Sequence, residues 1–260
     1  MNGETKRILV TVKAYPNLSR KYGETVCVAG IDLHSMQWVR LYPIPFRDLD
    51  NDRKFKKYRI IEVKAIKASN DHRPESYKVD RDTIKVVGSI DTRPNKVDWA
   101  ERKKIVLPTV SKSMCEILRL SEKEDKSLGV FKPRDVRFFW EKVSVEDQKE
   151  INSYYAQKDF LEKQKNPLEK IPYVFRYSFF CANEKDCQGH TYPIIDWEIA
   201  QSFRSWRAQY KTTEKLLEMI EKKWIGLLCA PDRDTYFYVG NQLRFRDNFM
   251  ILGVLYPPKK

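Results

Sequence analysis

Residues 24–44 read ETVCVAGIDLHSMQWVRLYPI. The outer blocks, ETVCVAGI and WVRLYPI, are rich in the β-branched and aromatic residues that favour strands. Between them lie only the six residues DLHSMQ, at 32–37. A parallel crossover needs a dozen or more residues, so this spacing predicts an antiparallel hairpin. The same signal extends outward. RILVTVKAY (7–15) upstream and YRIIEVKAIK (58–67) and TIKVVGSI (83–90) downstream are strand-like, and SNDHRPESYKVDRD (69–82) reads as a polar loop.

The pattern then changes. Residues 95–108 and 109–125 carry apolar residues at helical spacing, with Thr109 or Ser111 as N-caps. Residues 126–143 return to strand composition, and 144–165 read as a highly charged helix opening with Ser-x-x-Asp. YVFRYSFFC (173–181) alternates, with Tyr173, Phe175, Tyr177, Phe179 and Cys181 on one face. Helices follow in 194–211 and 213–228, and 234–258 reads as paired strands turning near Gly240. The chain is expected to be α+β, with a mostly antiparallel or barrel-like N-terminal β lobe, central helices and a mixed C-terminal lobe. The expected division is 1–143 and 144–260, or one continuous domain.

The 260 residues carry a net charge of +13, with 13% aromatic residues and a mean hydropathy of −0.62. Such a balance attracts polyanions, of which nucleic acid is the usual one. The densest basic run is Arg53, Lys54, Lys56, Lys57 and Arg59. A second basic stripe, Arg204, Arg207 and Lys211, runs beside the apolar stripe Ile199, Phe203, Trp206 and Tyr210 of one helix. Arg also alternates with aromatics in WVRLYPIPFR, VRFFWEK and VFRYSFF, the mixture that base stacking and phosphate contacts need. Adjacent residues on a strand face opposite ways, so residues two apart, such as Arg40 and Tyr42 or Arg244 and Arg246, would have to act together. No apolar run is long enough for a membrane span, and the N-terminus reads as a strand and not a signal peptide. The five cysteines are too few and too scattered for a disulfide framework, which points to a reduced, cytoplasmic protein.

Two segments carry chemistry. Cys181, Cys187 and His190 have the spacing C-x5-C-x2-H, and loops of this size let thiolates and an imidazole converge on Zn²⁺. Three ligands are one short of a closed structural site. Asp186, Asp196, Glu198, Cys229, His34 and His72 are the candidates for the fourth, and an open site would leave Asp196 or Glu198 to act as a base. Glu62 and Lys64 form E-x-K on a Val/Ile strand, with Asp48, Asp50 and Asp52 upstream. This resembles the D…(D/E)-x-K pattern of the PD-(D/E)xK nuclease superfamily. The resemblance covers under twenty residues. It implies two carboxylates holding Mg²⁺ and a lysine orienting the attacking water.

Phosphate-loop, dinucleotide, nucleophile-elbow, H-E-x-x-H and zinc-deaminase patterns are all absent. The sequence therefore favours a basic nucleic-acid-binding protein with a structural zinc site. The alternative is an enzyme acting on nucleic acid, either a metal-dependent nuclease or a base-processing hydrolase. Its catalytic residues would be Glu62 and Lys64, or Asp196 and Glu198. A protein-interaction module with incidental charge is the third class.

Overall fold

A computed structural model describes residues 3–19, 23–92, 99–144 and 171–259. The expected charged helix at 144–165 lies almost wholly outside them.

The hairpin that opens the sequence reading forms as expected. Strands β3 (Gly23–Asp32) and β4 (Trp38–Ile44) pair antiparallel, with Ile31 opposite Trp38 and Val28 opposite Leu41. β1 (Glu4–Lys13) pairs on one edge with β3 and on the other with β5 (Arg59–Lys67). The circuit closes through β6 (Ser76–Val79), antiparallel to β5 and parallel to β4. The result is a closed five-stranded mixed barrel in the spatial order β1-β3-β4-β6-β5. β7 (Lys85–Ser89) extends β5, and short β2 (Asn17–Ser19) pairs with β3. The barrel interior is almost wholly aliphatic, including Ile8, Val10, Val26, Val28, Leu41, Ile61 and Val63. Alternation places these residues inward and their sequence neighbours outward.

β6 lies in the segment expected to be a loop. Four residues with only Tyr77 and Val79 as strand formers give little local signal, and pairing to two barrel strands fixes them instead.

Helix α1 (Ala100–Val106) leads through a single 3₁₀ turn to α2 (Met114–Glu124). The α2 cap is Ser113, not Thr109 or Ser111: its hydroxyl accepts from Glu116 N–H at 3.0 Å. The remaining elements are β8 (Leu128–Phe131), β9 (Pro133–Lys142), β10 (Tyr173–Cys181), β11 (His190–Pro193), α3 (Trp197–Trp206), α4 (Thr213–Glu221), β12 (Tyr236–Gln242) and β13 (Phe245–Leu255). They form two three-stranded antiparallel sheets, β13-β12-β8 and β11-β10-β9. A π-helical turn at Lys222–Leu227 extends α4. The architecture is α+β.

The β13-β12-β8 sheet is the middle layer. Tyr236, Tyr238, Met250 and Leu252 on one face pack with Leu9, Ala29 and Ile31 on the outside of the barrel. Phe237, Val239, Phe249 and Ile251 on the other face pack with Phe175, Tyr177 and Phe179 of β10 and with α2, α3 and α4. Burial on both faces explains the continuous apolar run of β13, Phe249–Leu255.

A buried polar joint also ties the layers. Arg40 donates to Ser127 O (3.1 Å) and Oγ (2.9 Å), and Glu75 accepts from Ser127 N (2.6 Å) and Oγ (2.7 Å). Arg73, held by Asp71, donates to Asn241 O at 2.9 Å. Within the expected polar loop, Arg73 and Glu75 thus form a joint between layers.

Candidate metal centre

The α2 N-terminus and the ends of β10 and β11 meet at one corner of the second core. Cys115 comes from the first turn of α2, Cys181 ends β10, Cys187 lies in the following loop and His190 opens β11. Their ligand atoms all lie within 4.8 Å of one another. Cys115 Sγ is 3.9 Å from Cys181 Sγ and 3.4 Å from His190 Nε2, and Cys181 Sγ is 3.5 Å from that nitrogen. Tetrahedral zinc, with bonds of about 2.3 Å to sulfur and about 2.05 Å to nitrogen, has S···S edges of about 3.8 Å and S···N edges of about 3.6 Å. These three separations match, and the Cys187 sulfur lies within 4.8 Å of the other ligand atoms, so the Cys₃His cluster could hold a metal such as zinc.

The fourth member is therefore Cys115, and none of the six residues suggested by the sequence. Cys115 lies 66 residues from Cys181, beyond the reach of the C-x5-C-x2-H spacing. Its neighbours SM and EIL resemble an ordinary amphipathic helix, and only the packing of α2 against β10 reveals its role. Cys229 stays apart: its thiol donates to Trp224 O, and burial pushes its pKa up to about 12.

Neighbouring groups orient the ligands. Ser113 donates to Glu184 Oε2 at 2.9 Å, and Arg119 pairs with the same oxygen at 3.3 Å. These contacts fasten the loop between Cys181 and Cys187 onto α2, and they hold the Glu184 carboxyl below its usual range. Gly189, at φ +89°, turns the chain between Cys187 and His190, under the Phe180 ring.

Electrostatics favour the ligating forms unevenly. Burial pushes the Cys187 thiol up, but N–H donors from Cys181 and Gly189 outweigh it and bring the pKa down. Burial and the neighbouring Cys181 push Cys115 up to about 12. Burial lowers His190, favouring the neutral imidazole that binds metals. The cysteines thus form a low/high set in which a cation would replace the protons.

The other candidate residues are dispersed. Glu62 and Lys64 lie on the outer face of β5, where Arg7 Nη1 meets Glu62 Oε1 at 3.3 Å and Lys64 is exposed. Asp48, Asp50 and Asp52 are exposed, and Asp50 and Asp82 flank Arg53 at 3.9 and 3.2 Å. The Cys₃His cluster is the one group of three or more such ligands among the described residues. Lys54 and Lys56 are exposed. Arg204 is half-buried on α3, while Arg207 and Lys211 are exposed just beyond its end.

Two sets that the sequence kept separate come together. Lys57, from the basic run, donates to Asp196 Oδ2 at 2.5 Å and lies 3.7 Å from Glu198 Oε2. Asp196 also caps α3, accepting from Glu198 N at 3.0 Å. Burial pushes Asp196 up to about 6, against the pull of Lys57. Nearby, Lys13 Nζ lies over the rings of Phe46 (4.1 Å) and Trp197 (4.3 Å), with burial lowering its pKa to about 8.

Residues 110–260, more than half of the chain, match the family model described as Domain of unknown function (DUF8757). The chain belongs to this family. Residues 4–108 match a second model, Domain of unknown function (DUF8758). The DUF8758 match spans the barrel and α1; the DUF8757 match spans both open sheets, and all four members of the Cys₃His cluster fall within it. The Lys57–Asp196 pair joins the two matched regions. A search of curated proteins finds no match. No described helix is long and apolar enough to cross a membrane.

Proposed function

We propose that the chain is a basic nucleic-acid-binding protein whose DUF8757 region is held together by a structural zinc ion. The observation that carries the zinc half is the convergence of Cys115, Cys181, Cys187 and His190 within 4.8 Å, with the Cys115, Cys181 and His190 separations at tetrahedral values. Four protein ligands leave no position for a reactive water, which favours a structural over a catalytic ion. The nucleic-acid half rests on the net charge of +13. Nucleic-acid binding, and with it a cytoplasmic location, fits a basic chain with scattered reduced cysteines.

The second reading is an enzyme acting on nucleic acid. Its support is the buried Lys57–Asp196 pair beside Lys13 and the more exposed Glu198, since clustered titratable groups with displaced pKa values are common at reactive centres. A Mg²⁺-dependent nuclease would instead draw on Glu62 and Lys64, which belong to no group of three or more metal-ligating side chains among the described residues.

One experiment separates these readings. Labelled single- and double-stranded DNA and RNA are incubated with the protein, with and without Mg²⁺, and run on native and denaturing gels. Shifted but intact strands, with affinity falling steeply as salt rises, support the binding reading. Shortened or abasic strands support the enzyme, and intact strands with no shift at physiological salt overturn both.

A further inference from the structure

Five-stranded Greek-key barrels of the OB type bind oligonucleotides on the face of their second and third strands. Here those strands are β3 and β4, and that face is covered: Ala29, Ile31 and Trp38 pack against the middle sheet, and Arg40 is buried on Ser127. By this fold-level analogy the barrel offers no such platform, and a surface elsewhere must serve.

The outer face of the β11-β10-β9 sheet has the required composition. Its inner face packs Phe138, Phe175, Tyr177 and Phe179 into the core. On the outer face, cross-strand pairing sets Arg176 beside Phe139, Ser178 beside Arg137, and Phe180 beside Arg134. Phe139 and Phe180 are among the few large apolar residues left exposed, at 38% and 37%. The Arg134 guanidinium lies 5.0 Å from the Phe180 ring centre. Arg137, between the two aromatic rows, is exposed.

Each row thus carries an arginine, and the first and last also carry a ring. The two rings are separated by four strand positions, about 13 Å at 3.3 Å per residue. Bases separated by one nucleotide along an extended single strand can stack on rings so placed, with the Arg137 guanidinium reaching a phosphate between them. A rigid duplex hides its base faces and cannot use the rings.

We propose that this sheet face, through Phe139, Phe180 and Arg137, binds single-stranded nucleic acid. The inference rests on the nucleic-acid reading above and names the strand type and the surface. The occupant is fixed by charge complementarity: the arginines outnumber Asp135 and Glu141, and those carboxylates already pair with Arg134 and Arg176.

The test is fluorescence anisotropy with a short, mixed-sequence labelled RNA, the same sequence as DNA, and the corresponding duplexes. The single strands should bind more tightly than the duplexes. Phe139→Ala and Phe180→Ala should each weaken single-strand binding roughly tenfold. Phe139→Trp should hold or tighten it. Phe139→Leu, which keeps apolar bulk and guards against a folding defect, should weaken it like alanine. Arg137→Ala should lower the slope of log affinity against log salt by about 0.7. If the wild type binds single strands and none of these variants differs from it, the surface is wrong while the nucleic-acid reading stands. Preference for the duplex also overturns the proposal and leaves that reading intact. Absence of binding to every probe overturns both. A dimer in sedimentation that Phe139→Ala dissociates, with oligonucleotide affinity unchanged, marks the face as a self-association surface and overturns the proposal.

Discussion

The core of the barrel is mostly Val, Ile, Leu and Ala, with Phe46 and Phe55, whereas that of the second lobe adds to its aliphatic residues the rings of Phe131, Phe138, Phe175, Tyr177, Phe179, Phe203, Trp224, Phe237 and Phe249. The barrel closes its own hydrogen-bond ladder, so its strands have few free edges and its inward residues need only be small and branched. The two open sheets of the second lobe cannot close. Large rings, such as Tyr177 stacked on Phe237 at 4.7 Å, span the gap between them. The Cys₃His cluster lies at the corner where α2, β10 and β11 meet, and a metal held there would tie the three together. Closure stabilises one lobe and aromatic packing the other, where the Cys₃His cluster could add a metal ion.

That contrast is most exposed to metal removal. Protein purified without chelator should contain one zinc per chain by elemental analysis. Chelation, Cys187→Ser or Cys115→Ser should lower the melting temperature by about 10 °C or more, because each removes a structural ligand set. Near-UV circular dichroism, dominated by the aromatic second core, should collapse first. If the far-UV strand signal of the barrel falls at the same temperature, the lobes unfold as one unit and the contrast lies only in their construction. Stoichiometric absence of metal would sink the zinc reading.

A smaller loss is expected at the junction. Asp196→Ala leaves the Lys57 ammonium buried without its partner and removes the α3 cap, at a cost of about 3–5 kcal/mol. Lys57→Met combined with Asp196→Leu should recover much of this in urea denaturation. If the double variant is as unstable as the single one, the pair does not act through uncompensated charge. Arg40→Ala should cost about 1–3 kcal/mol, since Ser127 O then loses a donor in a buried place.

Acid should reach the joint through Asp71. Burial raises its pKa, but hydrogen bonds and charge from Arg73 outweigh that and hold it below the usual value of 3.8. A depressed carboxylate contributes stability that is present above its unfolded pKa and lost as pH falls through its folded one. Wild type should therefore lose more stability than Asp71→Asn below about pH 4, the range set by the unfolded carboxylate. Equal acid sensitivity of the two would remove Asp71 from the joint. The smallest effect is expected on the barrel surface, where Glu62→Gln breaks only the exposed pair with Arg7 and should change stability by less than about 0.5 kcal/mol. Loss of a nuclease activity in that variant, with folding intact, would restore Glu62 to a catalytic role.

Much of the fold was legible along the chain. The block 24–44 announced a hairpin, and β1, β5, β7, β10 and the α3 and α4 segments followed from periodicity and composition. β6 was not legible, because four residues gain their pairing from two strands distant in sequence. At the metal centre, Cys181, Cys187 and His190 could be read from local spacing, since a short loop brings them together. Lys57 looked like a surface phosphate contact because its run is basic; only the approach of α3 turned it into the partner of Asp196.

The division has a physical basis. Sequence alone determined what is local: strand against helix, the α+β class, the net charge, and three candidate ligands around one loop. Tertiary structure decided what joins segments far apart. It closed the barrel through the parallel β4–β6 contact, brought Cys115 to the metal centre, and used cross-strand pairing to set arginines beside Phe139 and Phe180. Spacing along a chain constrains only neighbours within a turn or a loop, whereas ligand sets and side-chain rows depend on which surfaces burial forces together.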